Sequence, residues 1–241
     1  MIARTSWGVG ANSLIKPSSD PLTDSLAERW TTLTGKLPAR GRLLAVSKGH
    51  PAASIRAVAS LGQEDFGESR LQEAVEKQAL LSDLSLQWHF IGRLQRNKVR
   101  GVVKAFSVIH SVDSFALAER VSRIAGEESC CPEVLLQVRF REDPTKGGME
   151  PSEILSAWPQ FSALPSLRIT GLMTMAPLGL EGDDRQTLFM ECRSLADRLG
   201  LPECSMGMSG DWTEAVAAGS TWLRVGSAVF GQRDVPKHGA G

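Results

Sequence analysis

Tyrosine is absent from this sequence of 241 residues, although eight phenylalanines and six tryptophans are present. The absence excludes every mechanism in which a phenol serves as the catalytic acid, base or nucleophile. Cysteine is scarce and forms no CxxC motif, so neither a disulfide framework nor a zinc site is expected. The four cysteines are Cys130, Cys131, Cys192 and Cys204. We predict reduced thiols and a cytoplasmic location.

Net charge and long hydrophobic runs are also missing. The 27 Lys and Arg residues balance the 27 Asp and Glu residues, which argues against binding of nucleic acid through an extended basic face. No apolar run approaches the roughly 18 residues that a membrane-spanning helix needs. The first residues lack the apolar stretch of a secretory signal. We therefore expect neither a nucleic-acid partner nor a membrane partner.

Short apolar segments recur along the chain and alternate with helical patterns. We predict eight strands, in the segments LLAVSK (43–48), EDFGES (64–69), WHFIGRL (88–94), FSVIHSVD (106–113), EVLLQVRF (133–140), RITGLMTM (168–175), CSMGMS (204–209) and TWLRVGSAVF (221–230). Most of them are continuous apolar runs, which are typical of parallel strands covered on both faces. Strands alternating with helices in this number predict a single (β/α)8 barrel, with a doubly wound open sheet as the alternative.

The same segments predict the domain organisation. Residues 1–20 are rich in serine, glycine, asparagine and proline, and we predict a flexible segment there. One barrel domain is predicted over residues 21–233, and a flexible tail over 234–241. Within the barrel, Pro51 is predicted in the first turn of one helix, and Ser114 at the N-cap of another.

Glycine–serine sequences follow the last two predicted strands. MGMSG (206–210) leads into a short helix near Asp211, and VGS (225–227) falls late in the eighth predicted strand. In (β/α)8 barrels the loops after strands 7 and 8 frequently bind phosphate. Glycine allows the phosphate to approach the backbone N–H groups closely, and serine adds a hydroxyl donor. The pattern predicts a phosphate site at Ser209, Gly226 and Ser227, with two ordinary tight turns as the alternative.

A lysine and an arginine fall at the same end of the predicted barrel. Lys48 ends the first predicted strand, where a desolvated amine is able to attack a carbonyl and form a Schiff base. Beside a phosphate site, this indicates pyridoxal phosphate or a phosphorylated sugar. Arg224 only donates hydrogen bonds, so opposite a pyridine nitrogen it would keep that nitrogen unprotonated. The alternatives are a solvated lysine and a salt bridge at the barrel mouth.

Other polar and sulfur-containing residues carry weaker signals. His89, inside the third predicted strand, is predicted to be a hydrogen-bonded core histidine. Met173 and Met175 are predicted to pack, with one of them a candidate to cover a flat ring. The sequence shows no His, Cys and Asp cluster with metal-ligand spacing. Solvated positions are predicted for Glu68, Arg93, Gln95, Asn97 and Lys98.

Seven segments in order, within residues 40–233, resemble the YggS/PROSC family of pyridoxal phosphate homeostasis proteins. They are LLAVSK, DFGES, WHFIGRLQRNK, HSVD, GLMTMAP, GMSGDW and AVAAGSTWLRVGSAVFG. The resemblance implies a single barrel of the alanine racemase N-terminal type, without the C-terminal β domain. It further implies that pyridoxal 5'-phosphate is bound as a covalent aldimine at Lys48, with no robust catalytic activity.

The resemblance also implies a set of cofactor-binding residues. Matched position by position, they are Lys48, Ser69, Met173, Ser209, Arg224, Gly226 and Ser227. Two positions depart from the family pattern, because Ser69 replaces an asparagine and Gly210 replaces an acidic residue that is often present. A serine hydroxyl is shorter than a carboxamide and has one donor instead of two, and the glycine makes the phosphate loop more flexible.

Three functions are compatible with these residues. The first is a protein that holds pyridoxal phosphate and delivers it to apo-enzymes that depend on it. The second is a racemase or related enzyme on the same barrel, and the third is an aldolase-like lyase that uses Lys48. Alanine racemases use a tyrosine from a second domain of the partner subunit, and this sequence has neither that tyrosine nor residues for that domain. The lyase leaves Arg224 unexplained, so we expect a protein that binds the cofactor without substantial turnover. Because the second domain of the racemase dimer is missing, we expect a monomer.

Overall fold

The computed structural model describes residues 21–143 and 145–232, and these residues form a closed barrel of parallel strands. The strands are β1 (Arg42–Val46), β2 (Asp65–Glu68), β3 (Gln87–Phe90), β4 (Val108–Val112), β5 (Glu133–Gln137), β6 (Arg168–Met173), β7 (Glu203–Ser205) and β8 (Trp222–Val225). Each strand pairs with the next, and β8 pairs with β1. The (β/α)8 barrel prediction is therefore confirmed. The flexible ends predicted at 1–20 and 234–241 lie outside the described residues, as does residue 233.

Helices occupy the connections between the strands. They are α1 (Pro21–Thr34), α2 (Ala52–Ala59), α3 (Leu71–Leu80), α4 (Val99–Ala105), α5 (Phe115–Glu127), α6 (Pro151–Ser162), α7 (Gly182–Arg198), α8 (Trp212–Ala217) and α9 (Ser227–Phe230). Among the described residues, none of these helices has both the length and the apolarity needed to traverse a bilayer.

The predicted helix starts are visible in the local structure. Ser114 is the N-cap of α5, and its side chain accepts a hydrogen bond from the Leu117 amide at 3.3 Å. This bond satisfies one of the first-turn amides that have no partner inside a helix. Pro51 is the N-cap of α2, one residue before the position predicted for it. Helix α6 begins at Pro151, a residue suited to the first turn of a helix.

Several strands end earlier than the sequence segments predicted. β1 ends at Val46 and β3 at Phe90, so Lys48 and Arg93 lie in the loops that follow. The prediction that Ser227 falls late in the eighth strand is wrong, because Ser227 begins α9. The apolar residues of TWLRVGSAVF therefore serve two elements, a strand and then a short helix whose Val229 and Phe230 are buried. Helix α4 was not predicted, since its seven residues are too few for a clear period.

Two clusters of buried apolar side chains support the mouth of the barrel. The larger core lies between the strands and the surrounding helices. A smaller cluster fills the barrel interior and contains Leu44, Val108, Leu135, Met173 and Trp222. Met173 is thus packed in the core, as predicted. Because side chains plug the interior, the open space lies above them, where the loops after the strands meet.

Candidate functional site

A cavity of about 590 Å³ opens at the carboxyl ends of the strands. Its size lies within the range of about 300–1,000 Å³ that is usual for small-molecule sites. The barrel brings together in its lining five of the residues that the sequence analysis singled out, from the loops after β1, β7 and β8 and from β8 itself. These residues are Lys48, Ser209, Arg224, Gly226 and Ser227.

Two other predicted site residues lie outside this lining. Met173 is only 2% exposed and belongs to the interior cluster beneath the cavity, whereas Met175 lines the cavity itself. Ser69 lines a small adjoining cavity of about 170 Å³, which shares Lys48 with the larger one. The loop of Ser69 is approached closely from β3, because a Cβ on Gly92 would lie 2.1 Å from the Ser69 carbonyl oxygen. Gly92 is therefore required for this packing.

Lys48 lies two residues beyond β1 and is exposed at the rim. Hydrogen bonds hold the backbone on both sides of Lys48. They come from a group of residues that we call the Lys77 cluster, which consists of Ser47, Glu68, Glu73 and Lys77 together with the Gly49 amide. Lys77 Nζ donates to the Ser47 carbonyl at 2.8 Å, to Glu68 Oε1 at 2.7 Å and to Glu73 Oε1 at 2.6 Å. Ser47 Oγ donates to Glu68 Oε1 at 2.7 Å.

The other flank of Lys48 is held as well, because the Gly49 amide donates to Glu73 Oε1 at 2.6 Å. The cluster therefore fixes the peptide on both sides of Lys48. The prediction of a solvated Glu68 is wrong, since this side chain is completely buried. The sequence carried only one signal for the cluster, namely a lysine three residues after Ala74 on the buried face of α3.

The carboxyl groups of the Lys77 cluster differ in pKa. Burial raises the pKa of Glu68 above its usual value, although hydrogen bonds from Lys77 and Ser47 act in the opposite direction. Burial also disfavours the charged form of Glu73, but Lys77 and the Gly49 amide outweigh it and lower the pKa of this carboxyl. Glu73 is the acid that stays ionised most firmly, as expected for the less buried of the two groups.

Two loops face each other at the end of the cavity where the sequence predicts a phosphate site, which we call the phosphate end. Asp211 closes the turn of the first loop, because its side chain accepts from the Met208 amide and its own amide donates to the Met208 carbonyl at 3.1 Å. Gly207 has φ +92°, and a Cβ there would lie 2.6 Å from the Cβ of Ala215, so glycine is required. A Cβ on Gly210 would meet no neighbour within 4 Å. The Gly210 departure therefore imposes no steric constraint.

The second loop joins β8 to α9. A Cβ on Gly226 would lie 3.1 Å from the Val46 carbonyl oxygen, so the end of β1 passes close to this loop. Ser227 stands in the first turn of α9, where backbone amides have no acceptor inside the helix. The lysine loop and the phosphate-end loop thus meet across the pairing of β1 with β8.

Arg224 is buried at the floor of the cavity. Its Nη1 donates to the Ser205 carbonyl at 2.6 Å and to Ser205 Oγ at 2.8 Å, and its Nη2 donates to the Thr174 carbonyl at 2.9 Å. Within the described residues it forms no ion pair, so the predicted alternative of a salt bridge is not observed. Burial lowers the pKa of Arg224 to about 10, against the opposing charges of Asp211 and Cys192. The guanidinium therefore remains cationic at neutral pH.

Two histidines lie in the barrel beneath Arg224. His89 Nδ1 is 2.9 Å from His110 Nε2, and His89 Nε2 is 3.0 Å from Asp65 Oδ1. His110 Nδ1 lies 2.8 Å from Ser205 Oγ, which connects the pair to the partner of Arg224. The prediction of a hydrogen-bonded core histidine at His89 is confirmed. Sequence reasoning missed His110, whose segment HSVD carried no separate chemical signal.

The comparisons with known proteins agree with this geometry. Residues 23–234 match the family of the alanine racemase N-terminal domain. The pyridoxal phosphate homeostasis protein of Synechocystis sp. is 46% identical over 211 residues, which cover 85% of this chain and 97% of that protein. PipY of Synechococcus elongatus PCC7942, solved without PLP, gives a TM-score of 0.84 at 50% identity, covering 86% of this chain and 100% of that chain.

The structure of PipY with PLP bound gives a TM-score of 0.82 at 49% identity, again over 86% of this chain and 100% of that chain. A more distant similarity extends to the alanine racemase of Clostridium difficile 630. That structure has a TM-score of 0.75 at 15% identity, covering 88% of this chain and 58% of the racemase chain. At this identity the likeness shows a shared fold alone.

Proposed function

The chain belongs to the family of the pyridoxal phosphate homeostasis proteins, and from that membership we propose that it binds pyridoxal 5'-phosphate (PLP) at the barrel mouth and serves the intracellular homeostasis of this cofactor. In this role it holds PLP or delivers it, which affects the balance of amino acids and keto acids. The observation that carries the proposal is the meeting of Lys48, Ser209, Arg224 and Ser227 in one cavity.

The chemistry of the lining fits PLP. Two serine hydroxyls and the first amides of α9 offer donors to a dianionic phosphate at one end. A lysine amine stands at the rim, and Val46, Ile91 and Met175 supply apolar walls for a planar ring. A Cβ at position 226 would lie 3.1 Å from the Val46 carbonyl oxygen, so glycine allows the loop after β8 to pass close to the end of β1.

Each residue has a role in this proposal. Bound PLP supplies an aldehyde that condenses with primary amines. The Lys48 amine, once deprotonated, would be the primary amine that holds the cofactor through this aldehyde. Ser209, Ser227 and Gly226 would bind the phosphate. Arg224 would donate to the ring nitrogen through the N–H groups that are not used in its bonds to Ser205 and Thr174. The Lys77 cluster orients the Lys48 backbone.

The two remaining predicted residues have supporting roles. Ser69 borders the small cavity next to Lys48, and its single hydroxyl offers the bound cofactor one donor at most. Met173 supports the floor of the site from the interior cluster. Met175, two residues later in the chain, lines the cavity.

We propose further that the protein has no substantial racemase or transaminase turnover. The sequence offers no tyrosine for the face of the cofactor opposite the lysine, and such acid–base help is typically worth about 10²–10⁴-fold in rate. A cationic Arg224 cannot supply the ring nitrogen with the stable proton that makes the ring a strong electron sink. The homeostasis name carried by its relatives also supports a binding role.

The setting of this role is part of the same proposal. We place the protein in the cytoplasm as a monomer, with PLP-dependent apo-enzymes as recipients of the cofactor. Free thiols at Cys130, Cys131, Cys192 and Cys204 support a reducing compartment.

The covalent attachment is tested by trapping it. Borohydride reduction of the PLP-loaded protein, followed by peptide mass mapping, is expected to place a phosphopyridoxyl group on the peptide that contains Lys48. Lys48→Ala is expected to lose the absorbance band of the bound cofactor while its circular dichroism is unchanged, because an exposed rim residue contributes little to the core. Lys98→Ala, an exposed loop lysine, is the matched control. A label confined to another lysine would contradict the assignment.

The lack of turnover is tested with the loaded protein and each common amino acid, with and without 2-oxo acids. Deuterium exchange at Cα and the chirality of the product are followed over time. Exchange at the rate given by free PLP supports the binding role. Turnover near the value of about 10 s⁻¹ that is typical of enzymes would instead establish a racemase or transaminase.

A further inference from the structure

A continuous line of polar groups crosses the otherwise apolar barrel interior. It runs from Asp65 at the amino end of β2, through His89 on β3, His110 on β4 and Ser205 on β7, to Arg224 on β8. The four contacts measure 3.0, 2.9, 2.8 and 2.8 Å in that order. We call these five residues the interior chain. It connects the cavity floor with the opposite end of the barrel.

When each histidine of the interior chain carries a single hydrogen, the chemistry of the two ends gives every hydrogen bond one direction, because Arg224 only donates and the Asp65 carboxylate only accepts. Arg224 only donates, so Ser205 Oγ accepts from it and directs its single hydrogen towards His110 Nδ1. His110 therefore carries its hydrogen on Nε2 and donates to His89 Nδ1. His89 in turn carries its hydrogen on Nε2 and donates to the Asp65 carboxylate. All the bonds point one way, from the cation to the anion.

The surroundings support a neutral His110. His89, His110 and Ser205 are buried, and burial is the main cause that lowers the pKa of His110 well below its usual 6.5. Trp222 packs its ring against His89 with centroids 4.8 Å apart, which separates this part of the chain from solvent. Only Asp65 reaches the surface, with 26% of its side chain exposed. Aligned bonds in a dry interior polarise one another.

We propose that His110 and His89 are positioning residues for Arg224, and that the interior chain holds the guanidinium against the ring nitrogen of PLP and sets the electronic state of that nitrogen. This inference rests on the proposed function. Neither histidine touches the cavity lining, so both act through Ser205. Loss of the Ser205 hydroxyl would leave the guanidinium with two bonds instead of three, from Nη1 to the Ser205 carbonyl and from Nη2 to the Thr174 carbonyl, and would make its position less restricted.

The first test needs no cofactor. In the apo protein labelled with ¹⁵N in its histidines, the ring-nitrogen shifts report the tautomer of each side chain. We expect His89 and His110 both to carry hydrogen on Nε2, with slow exchange of the buried His110 proton. A hydrogen on Nδ1 of His110 would reverse the chain and overturn the proposal.

The second test measures the far end of the chain. PLP labelled with ¹⁵N in its ring is bound to the wild type, to Ser205→Ala and to Asp65→Asn, and its ring-nitrogen shift is recorded with the PLP affinity. We expect Ser205→Ala to move the shift and to weaken PLP binding about ten-fold. Asp65→Asn is expected to move the ring-nitrogen shift in the same direction. Asp65 begins β2, and at about 3.3 Å per residue it lies about 10 Å from the end of that strand that faces the cavity.

Matched variants separate positioning from packing. Val108→Ala opens a cavity in the same interior cluster, and Ser111→Ala alters a buried hydroxyl of β4, yet neither belongs to the chain. Both are expected to leave the ring-nitrogen shift unchanged even where stability falls. His110→Asn keeps an acceptor at the position of Nδ1 and is expected to retain more of the wild-type shift than His110→Leu.

The outcomes distinguish this proposal from the one on which it rests. If the chain variants bind PLP with the wild-type ring-nitrogen shift, the interior chain has no positioning role while the PLP-binding function stands. If the wild type takes up no PLP, the proposed function fails and this inference fails with it. A shift that moves equally in Val108→Ala would show an effect of packing alone and would also contradict the proposal.

Discussion

At the scale of single residues, the proposed phosphate site contains two hydroxyls that enter from different loops. Ser209 comes from the loop after β7, and Ser227 from the first turn of α9. Both are small side chains whose burial adds little to the core, so their loss should affect binding rather than folding. Hydrogen bonds to a charged acceptor contribute about 1.5–3 kcal/mol each.

We therefore expect Ser209→Ala and Ser227→Ala each to weaken PLP binding about ten-fold or more, with unchanged thermal unfolding of the apo protein. The two effects should be coupled, because both groups bind the same phosphate. Equilibrium titration of the single and double variants measures both quantities. Ser162→Ala, on the exposed surface of α6, is the control. Wild-type affinity in the double variant would place the phosphate elsewhere.

Sequence reasoning identified these residues more readily than it did their supports. Ser209, Gly226 and Ser227 are recognisable because glycine and serine in a loop after a strand have a local chemical meaning. Glu68 and Lys77 resemble ordinary surface residues along the chain, and only the packing of α3 against β1 and β2 makes them a buried pair. Such roles arise from tertiary contacts that no local pattern contains.

At the scale of elements, the mouth of the barrel is made where strands end. The strand segments were recognised from their apolar runs, but their ends were placed too late, because the same small and apolar residues continue into the loops. α3 then connects two neighbouring strand ends, since Lys77 contacts Ser47 after β1 and Glu68 at the end of β2. One helix thereby holds the lysine loop in place.

Lys77→Met is expected to lower the free energy of unfolding by about 3–5 kcal/mol, because Glu68 loses its cationic partner while it remains buried. Urea denaturation measures the change. Lys104→Met is the matched control, since Lys104 is 61% exposed beside Glu128 and its ion pair should contribute less than about 1 kcal/mol. In the double variant that combines Lys77→Met with Glu68→Gln, part of the lost free energy of unfolding should be recovered. Equal stability of the Lys77 and Lys104 variants would contradict this account of the cluster.

At the scale of the whole molecule, the closed barrel encloses a histidine that cannot easily take up a proton. The (β/α)8 fold was predictable from the number and spacing of apolar segments, whereas the contents of the barrel interior were not. Periodicity marks a buried position without indicating which polar groups meet there. The contact between His110 on β4 and Ser205 on β7 spans the barrel, so it depends on closure.

Burial makes folding sensitive to pH through His110. Its pKa lies well below 6.5 in the folded state, so between that lowered pKa and 6.5 the unfolded chain binds more protons than the folded one. The free energy of unfolding therefore falls as the pH drops through this window, by up to about 1.4 kcal/mol per pH unit from this group. We expect His110→Asn to show a shallower fall than the wild type between pH 6.5 and 5, measured by urea denaturation.

The comparison of the two slopes isolates His110, because carboxylates such as Glu127 and Glu73, whose pKa values are lowered by their partners, contribute equally to both proteins. Parallel slopes would mean that the pKa of His110 is not lowered in the folded state. Ser111→Ala, the adjacent buried change, should follow the wild-type slope.

The pairing of β1 with β8 has a consequence for the order of events during synthesis. Ala45 pairs with Val225, so the lysine loop and the phosphate loop are neighbours in space although nearly the whole described chain lies between them. A nascent polypeptide emerges from the ribosome with Lys48 early and Ser227 late. Until the last strand has emerged and docked, the lysine has no phosphate site beside it. We therefore expect the proposed uptake of the cofactor to occur on a finished barrel rather than on a growing chain.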